Sequence, residues 1–498
     1  MWERIYKFTQ RDGHIASNYA IIYKRQSWKS IWKGRVILDL FRKKSIAEYQ
    51  LDAEKSHLKR TMGPLDVIML GVGVIVGTGI FVLTGVAAAK YAGPALMLSF
   101  VIASITCAFV SLAYSELAAM VPVAGSSYAY AYTSVGEFLA WLVGWNIVLE
   151  YTVGASAVAG GWSAYIVGLL KSGGIELSKT WTTVPADGGI VNLPAVLITL
   201  FLTYLLIMGV HESITVNKIL VAVKLVAIFI FLLIAGPSVD TMNWEPFMPF
   251  GFAGVSAGAA VIFFAYLGFD AISTAAEETK NPARDMPIGI IGSLIICTLL
   301  YIAVTGVMTG NVPYDQLDNA EPVAYVLRTL GYHFGSAVVG TGAIAGLTTV
   351  LLVMMYAQTR AFFSMSRDGL IPESVCKIHP RYATPHRITL VVGVTVALIS
   401  GFTPINIVAE MCSIGTLFAF IISSIGVMIM RKREPEARRP FRCPAIYLIG
   451  TLAVLSCGYI MYNLSVMTWY RFLVWSVLGV VIYLGYGYSH SRENNNNQ

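Results

Sequence analysis

Long apolar runs, separated by short charged or proline-rich stretches, make up most of this chain. An α-helix rises 1.5 Å per residue, so about 20 apolar residues cross the hydrocarbon core of a bilayer. On that scale the pattern predicts twelve membrane spans, at roughly 66–90, 95–118, 137–169, 191–210, 214–236, 254–276, 287–309, 335–363, 386–402, 405–430, 444–464 and 471–489. The predicted fold class is therefore an all-α polytopic membrane protein.

Composition agrees with this pattern and excludes several classes of protein. Of the 498 residues, 56% are hydrophobic and 13% are charged, whereas soluble domains carry about 25% charged residues. The formal charge of +7 fits the inner loops of a membrane protein better than a nucleic-acid surface. The absence of Walker A, HExxH and nucleophile-elbow motifs argues against an ATP-driven pump and against an enzyme. The six cysteines form no CxxC or Cys/His group, so we expect free thiols, no metal site and no cofactor.

The distribution of lysine and arginine predicts how the chain lies in the membrane. With the N-terminus inside, most of these residues fall in the N-terminal tail and the inner loops. The outer loops then hold only five, which are Lys90, Lys171, Lys179, Arg328 and Arg471. This asymmetry predicts a multi-pass protein of the cell membrane with both termini in the cytoplasm.

Clustered glycines interrupt the first and sixth predicted spans. The first contains GVGVIVGTGIF (71–81) and the sixth contains FFAYLGFDA (263–271). Glycine weakens a helix by about 1 kcal/mol relative to alanine, and unwound backbone persists in a bilayer only where it lines a cavity or is packed in protein. The freed N–H and C=O groups would suit the carboxylate and the amine of an amino acid. Close helix packing is the alternative use of such glycines.

The positions of the two breaks favour a binding site. If 66–236 and 254–430 are repeats of five helices each, both begin with an interrupted helix, and the odd helix number inverts the second repeat in the membrane. Paired interruptions of this kind are typical of secondary transporters. The predicted domains are a basic tail (1–45), a transporter domain (46–490, with two extra helices at 444–489) and a polar tail (491–498). The basic tail is either a lipid-binding segment, a disordered tail or the result of a misassigned start codon.

Two ionisable side chains lie well inside predicted spans. Lys224 stands in ILVAVKLVAIFIF, and a charge at mid-bilayer costs at least about 2.5 kcal/mol. It should therefore face the bundle interior, unless its side chain snorkels to the interface. Glu150, in WNIVLEYTVG, would favour a cationic substrate side chain, relay a proton or form a structural ion pair. Asp270 and Glu410 are weaker candidates.

Four segments carry a resemblance to a known family. They are GVIVGTGIF (73–81), PVAGSSYAYAY (122–132), FFAYLGFDAISTAAEETKNPARDMP (263–287) and RAFFSMSRDGLIP (360–372). Together they resemble the amino acid–polyamine–organocation superfamily and, within it, the bacterial type of cationic amino-acid transporter, over about 45–492. The resemblance implies an inverted five-plus-five repeat, with helices one and six unwound at the membrane midplane and two further helices outside the repeat.

The resemblance also implies a set of site residues. Main-chain groups of the two breaks would bind the substrate carboxylate and amine; the residues are Ile75, Thr78, Gly79, Ile80, Phe264, Ala265 and Leu267. Phe264 would also act as a gate. Lys224 would occupy the place that a sodium ion takes in sodium-coupled relatives, and Glu150 and Met354 would line the side-chain pocket.

These observations predict a secondary active transporter that moves amino acids by alternating access, with the proton as coupling ion. The expected substrates are arginine and lysine, with alanine as a small neutral candidate, and the expected surroundings are membrane lipid. A sodium-coupled or exchange-type neutral amino-acid transporter is one alternative, which Lys224 counts against. A membrane sensor that binds amino acids without moving them is another, although neither tail resembles a signalling domain. Neither a nucleic acid nor any particular protein partner is predicted.

Overall fold

Helices make up most of the chain that the structure describes. The computed structural model describes residues 40–44, 61–121, 126–209, 214–382 and 384–492. Within these ranges there is no β-strand, and one isolated bridge joins Met62 to Thr279. Most of the basic tail and most of the polar tail lie outside the described residues.

The principal helices are numbered in chain order. They are α1 (Pro64–Ile75), α2 (Leu96–Met120), α3 (Ser126–Ser134), α4 (Glu137–Ser172), α5 (Leu193–Ile207), α6 (Ile214–Ala235), α7 (Gly251–Ile262), α8 (Pro282–Asn311), α9 (Pro322–Thr329), α10 (His333–Arg367), α11 (His386–Phe402), α12 (Ile405–Arg433), α13 (Ile446–Tyr462) and α14 (Val466–Ile482). Between α1 and α2, short π- and α-helical turns cover 79–92.

The prediction of a helical membrane protein is confirmed. Seven helical stretches of the described chain are long and apolar enough to cross a membrane, and five further apolar helices are shorter. Helix α11 begins and ends where the sequence pattern places it. Helix α8 begins at Pro282, ahead of the predicted start at 287. Proline is well placed at a first helical position because its fixed φ suits the helix and its missing N–H would have no partner there.

The tyrosine-rich segment before the third predicted span forms a helix of its own. In the structure α3 ends at Ser134, and Gly136 has a φ of 113° that separates it from α4. Tyr128, Tyr130 and Tyr132 are all buried. The segment therefore forms part of the protein interior.

Helix α4 is the element around which its neighbours pack. It is 36 residues long, and it contacts α3, α5, α10, α11 and α12. The middle of α4 has the sequence GASAVAGG (154–161), which is made almost entirely of small residues. Small side chains let neighbouring backbones approach closely, which is how helices associate where lipid supplies no hydrophobic driving force.

A buried carboxylate fastens the end of α2 to α12 and to the connection after it. Glu116 is 1% exposed and accepts hydrogen bonds from Arg431 at 2.7 and 2.6 Å and from Arg439 at 3.1 Å. The Cys443 N–H donates to the same carboxylate at 2.8 Å. Burial raises the pKa of the Cys443 thiol to about 11, and the Glu116 charge acts in the same direction, so this thiol stays protonated at neutral pH. The cluster holds three segments together.

We expect Glu116→Gln to lower the stability of the folded protein by about 3 kcal/mol, because it leaves two guanidinium groups without their common partner. The measurement is the apparent melting temperature of the detergent-solubilised protein. Glu436→Gln is the matched control, since Glu436 is exposed on the connection between α12 and α13. Equal melting temperatures for the two variants would contradict the role given to this cluster.

Candidate functional site

The backbone leaves the helical conformation in the middle of both glycine-containing segments. Helix α1 ends at Ile75, and Val76 is extended with φ −75° and ψ 93° before helical turns resume at Gly79. Helix α7 is followed by one 3₁₀ turn, Phe263–Tyr266, after which Leu267 is extended with φ −63° and ψ 144°. Gly268 has φ 107°, a conformation that residues with a side chain rarely adopt. The predicted unwinding of both segments is therefore present.

The two breaks lie directly against each other. A Cβ atom placed on Gly79 would come 2.3 Å from the Cα of Ala265, so only glycine allows this approach. The Tyr301 hydroxyl, from α8, lies 2.8 Å from the Ile75 carbonyl oxygen and 2.7 Å from the Ala265 carbonyl oxygen and donates to this pair. Tyr301 thus bridges the two unwound segments. The sequence pattern does not reveal this residue, because a tyrosine within an apolar span carries no sign of its partners.

The Lys224 ammonium group donates hydrogen bonds to carbonyl groups at the first break. Its side chain is completely buried on α6, and its Nζ donates to the Gly73 carbonyl at 2.5 Å and to the Val76 carbonyl at 3.0 Å. Its methylene groups pack against Gly346 of α10. A cation at the C-terminal end of a half-helix is favourable because the helix dipole is negative there. Of the two sequence interpretations of Lys224, snorkelling to the interface is therefore wrong.

The residues that the resemblance assigns to the substrate backbone come together around the two breaks. All seven are buried: Ile75, Thr78, Gly79, Ile80, Phe264, Ala265 and Leu267. The Ile80 N–H donates to Gly77 and the Phe264 carbonyl accepts from Leu267, both at 3.2 Å. The Thr78 hydroxyl is buried with no hydrogen-bond partner among the described residues. The candidate site is closed in this structure, and it contains a buried hydroxyl that can still make hydrogen bonds.

Met354 packs beside Gly154, which is one turn after Glu150 on α4. A Cβ placed on Gly154 would lie 3.2 Å from the Cys412 sulfur and 3.4 Å from Met354. Thr78 instead contacts Gly161, about three turns further along α4, a distance of about 16 Å. Oε1 of Glu150 is buried with no hydrogen-bond partner among the described residues. The structure therefore places Glu150 about three turns of α4 away from Thr78 of the first break.

The weaker carboxylate candidates have different surroundings. The hydroxyls of Ser465 and Thr468, at the start of α14, donate to Glu410 at 2.5 and 2.6 Å. Glu410 is therefore held in a local structural contact. Asp270 lies in the second break, within electrostatic range of Glu150.

Comparison with known proteins identifies the family. A family model described as amino acid permease matches residues 62–485, which include both breaks, Lys224, Glu150 and Met354. The chain belongs to the amino acid permease family. The predicted resemblance to the amino acid–polyamine–organocation superfamily is confirmed, and the permease is a transporter rather than an enzyme.

Three relatives illustrate the range of the family. The permease is 46% identical to a branched-chain amino acid permease and 42% identical to a methylthioribose transporter, both of Bacillus subtilis. Each alignment covers 91% of this chain and 99% of the relative. The vacuolar cationic amino acid transporter 4 of Arabidopsis thaliana is 37% identical, over 76% of this chain and 64% of the relative.

Tyr301→Phe should weaken the contact between the two breaks. The variant leaves two buried carbonyls without their common donor, which costs about 1–3 kcal/mol. We expect a lower melting temperature and an altered affinity for substrate, measured on the purified protein. Tyr266→Phe is the matched control, because Tyr266 packs against the Tyr301 ring but donates to the Phe100 carbonyl instead. Equal effects of the two substitutions would remove Tyr301 from the site.

Proposed function

We propose that this permease moves amino acids across the cell membrane by alternating access around the two helix breaks. The observation that carries this proposal is the direct contact of the breaks, with Gly79 against Ala265 and Tyr301 bridging their carbonyls. A site that is buried on every side must open to admit substrate and open again to release it. Two mobile halves meeting at unwound backbone suit that cycle.

The architecture proposed for this cycle is the inverted repeat of five plus five helices, followed by two more. In support, the two breaks occupy corresponding places, one in the first helix of 66–236 and one in the first helix of 254–430. The distribution of lysine and arginine supports cytoplasmic termini. Main-chain groups of the residues at the breaks would bind the substrate carboxylate and amine, and Phe264 would act as the gate.

The proton is the proposed coupling ion, with Lys224 in the place of a metal cation. Two carbonyl oxygens from the end of α1 contact the Lys224 ammonium at 2.5 and 3.0 Å. Carbonyl groups at the end of an unwound half-helix are the kind of ligand that sodium uses in coupled transporters. Because an ammonium group already fills this position, a sodium ion has no need to occupy it. Loss or gain of the Lys224 proton would then change the contact between α1 and α6.

Cationic amino acids are the proposed substrate class, with small neutral ones accepted as well. The buried Glu150 carboxylate supports this choice, because one of its oxygens has no hydrogen-bond partner among the described residues. A long cationic side chain, such as that of arginine or lysine, would extend from the breaks toward Glu150. The cationic amino acid transporter among the relatives points the same way.

Branched-chain amino acids are the second candidate substrates. The relative with 46% identity carries that name, and Met354 beside Gly154 gives the side-chain region an apolar wall. The 42% identical relative is named for methylthioribose, so relatives with this degree of sequence identity are named for very different substrates. Side-chain selectivity therefore has to be measured directly.

Uptake of arginine, leucine and alanine into proteoliposomes tests the function and its coupling together. We expect uptake to rise with an inward proton gradient and to be independent of sodium. Lys224→Met should abolish gradient-driven accumulation, because the carbonyls of α1 lose their cation. Lys218→Met is the matched control, since Lys218 lies on the same helix in a partly exposed ion pair with Asp66. Strict sodium dependence would overturn the proposed coupling.

Glu150→Gln tests the side-chain pocket. If Glu150 binds the substrate cation, arginine affinity should fall by about 1–3 kcal/mol, while alanine and leucine affinities change little. If Glu150 relays the proton, uptake of all three substrates should fall equally and should lose its pH dependence. Glu410→Gln is the control, a second buried carboxylate with local hydroxyl partners. An unchanged arginine-to-alanine ratio would leave branched-chain or other neutral substrates as the better assignment.

A further inference from the structure

The first residue of α4 carries a buried carboxylate that side chains from separate parts of the chain contact. Glu137 is completely buried. Its Oε1 accepts from Arg42 at 3.0 Å and from the Tyr483 hydroxyl at 2.8 Å. Its Oε2 accepts from the Tyr132 hydroxyl at 2.8 Å and the Ser491 hydroxyl at 2.6 Å. Segments before α1, within α3 and after α14 thus meet at one point.

Arg42 is fixed by more than this ion pair. It is 8% exposed, and its guanidinium lies 4.8 Å from the centre of the Tyr488 ring. Its carbonyl oxygen accepts a hydrogen bond of 2.7 Å from the Glu137 N–H. Arginine suits such a position because its planar group stacks on a ring while donating in the plane. The segment before α1 is therefore docked by both backbone and side chain.

The same segment also reaches the end of α10. Lys44 forms an ion pair of 3.1 Å with Asp368, the residue that follows the last turn of α10. The Tyr128 hydroxyl donates to the same carboxylate at 2.9 Å, and the Arg492 N–H donates to the Asp368 carbonyl at 3.1 Å. Lys43 donates to the carbonyl of Ser134 at the end of α3. The segments 41–44 and 488–492 thus link α3, α4 and α10.

The docked segments lie outside the residues that match the family model, whereas the side chains that they contact lie within them. The family model begins at residue 62 and ends at 485, whereas the docked segments are 41–44 and 488–492. Both helices that they join continue to the site, because α4 carries Glu150 and α10 carries Met354. The contacts of these two segments therefore act on the two helices that flank the side-chain region.

We propose that residues 41–44 and 488–492, the terminal latch, hold the first turn of α4 to the end of α10 and must release for this face of the permease to open. The inference rests on the proposed alternating-access function. Arg42 is the only cation among the contacts of the Glu137 carboxylate described above. Without Arg42 the buried Glu137 charge would have no charged partner, which is strongly destabilising. The latch thus favours the state in which this face is closed.

The alkylation rate of Cys376 measures release of the latch without any transport assay. Cys376 is a buried free thiol in the connection after α10, where Glu373 forms an ion pair with Arg492. In a Cys443→Ser background, we expect Arg42→Gln to speed maleimide labelling of Cys376 roughly tenfold, because local opening exposes it. Arg42→Lys, which keeps the charge, should restore part of the protection.

Two comparisons make the test decisive. Lys432→Gln, an exposed substitution at the end of α12, should leave the labelling rate unchanged. Glu137→Gln combined with Arg42→Gln should label no faster than either single variant, because the two side chains act as one pair. Equal labelling rates for Arg42→Gln and Lys432→Gln would overturn the latch.

Substrate counterflow in proteoliposomes then separates the latch from the proposed function. If the latch limits opening, Arg42→Gln should change the exchange rate while substrate affinity stays the same. An unchanged exchange rate in a protein that transports would overturn the latch and leave the transport function standing. If even the unaltered protein shows no counterflow, the proposed function fails, while the labelling rates still decide whether the latch exists.

Discussion

The rest of the structure depends on one constraint, which is that backbone unwound inside a membrane must find partners within the protein. The break after α1 leaves carbonyl groups without helical partners, and Lys224 of α6 donates hydrogen bonds to two carbonyls there. The Tyr301 hydroxyl lies within hydrogen-bond distance of one carbonyl from each break. No water is at hand in the hydrocarbon core to replace these donors, so the helices that carry them must pack against the breaks. The positions of α6 and α8 follow from this requirement.

Buried charges are treated differently at the edges of the bundle and at its centre. Glu116 and Glu137 each have an arginine and further donors, and both hold segments of the chain together. Glu150, near the middle of α4, keeps one oxygen without a hydrogen-bond partner among the described residues. A buried polar group left unsatisfied is costly, and such costs concentrate where a ligand or a proton supplies the missing partner. This contrast separates the structural carboxylates from the functional candidate.

Family membership and substrate choice depend on different parts of the molecule. Residues 62–485 match the family model, and they include the backbone groups at the breaks. In the proposed function those groups bind only the carboxylate and the amine, which all amino acids have in common. The proposed discrimination is made by side chains such as Glu150 on α4 and Met354 on α10. Relatives named for branched-chain amino acids, cationic amino acids and methylthioribose are consistent with variation in that region.

The sequence by itself determined the helical membrane fold, the two breaks and the buried position of Lys224, because each follows from local composition. Apolar length sets a span, clustered glycine weakens a helix, and a lone charge in hydrocarbon must face inward. Tertiary structure alone decided that Tyr301 joins the breaks, that Glu150 lies apart from Thr78 and that Arg42 meets Glu137. These pairs are set by how distant helices pack and rotate against each other, and no pattern along the chain records that geometry.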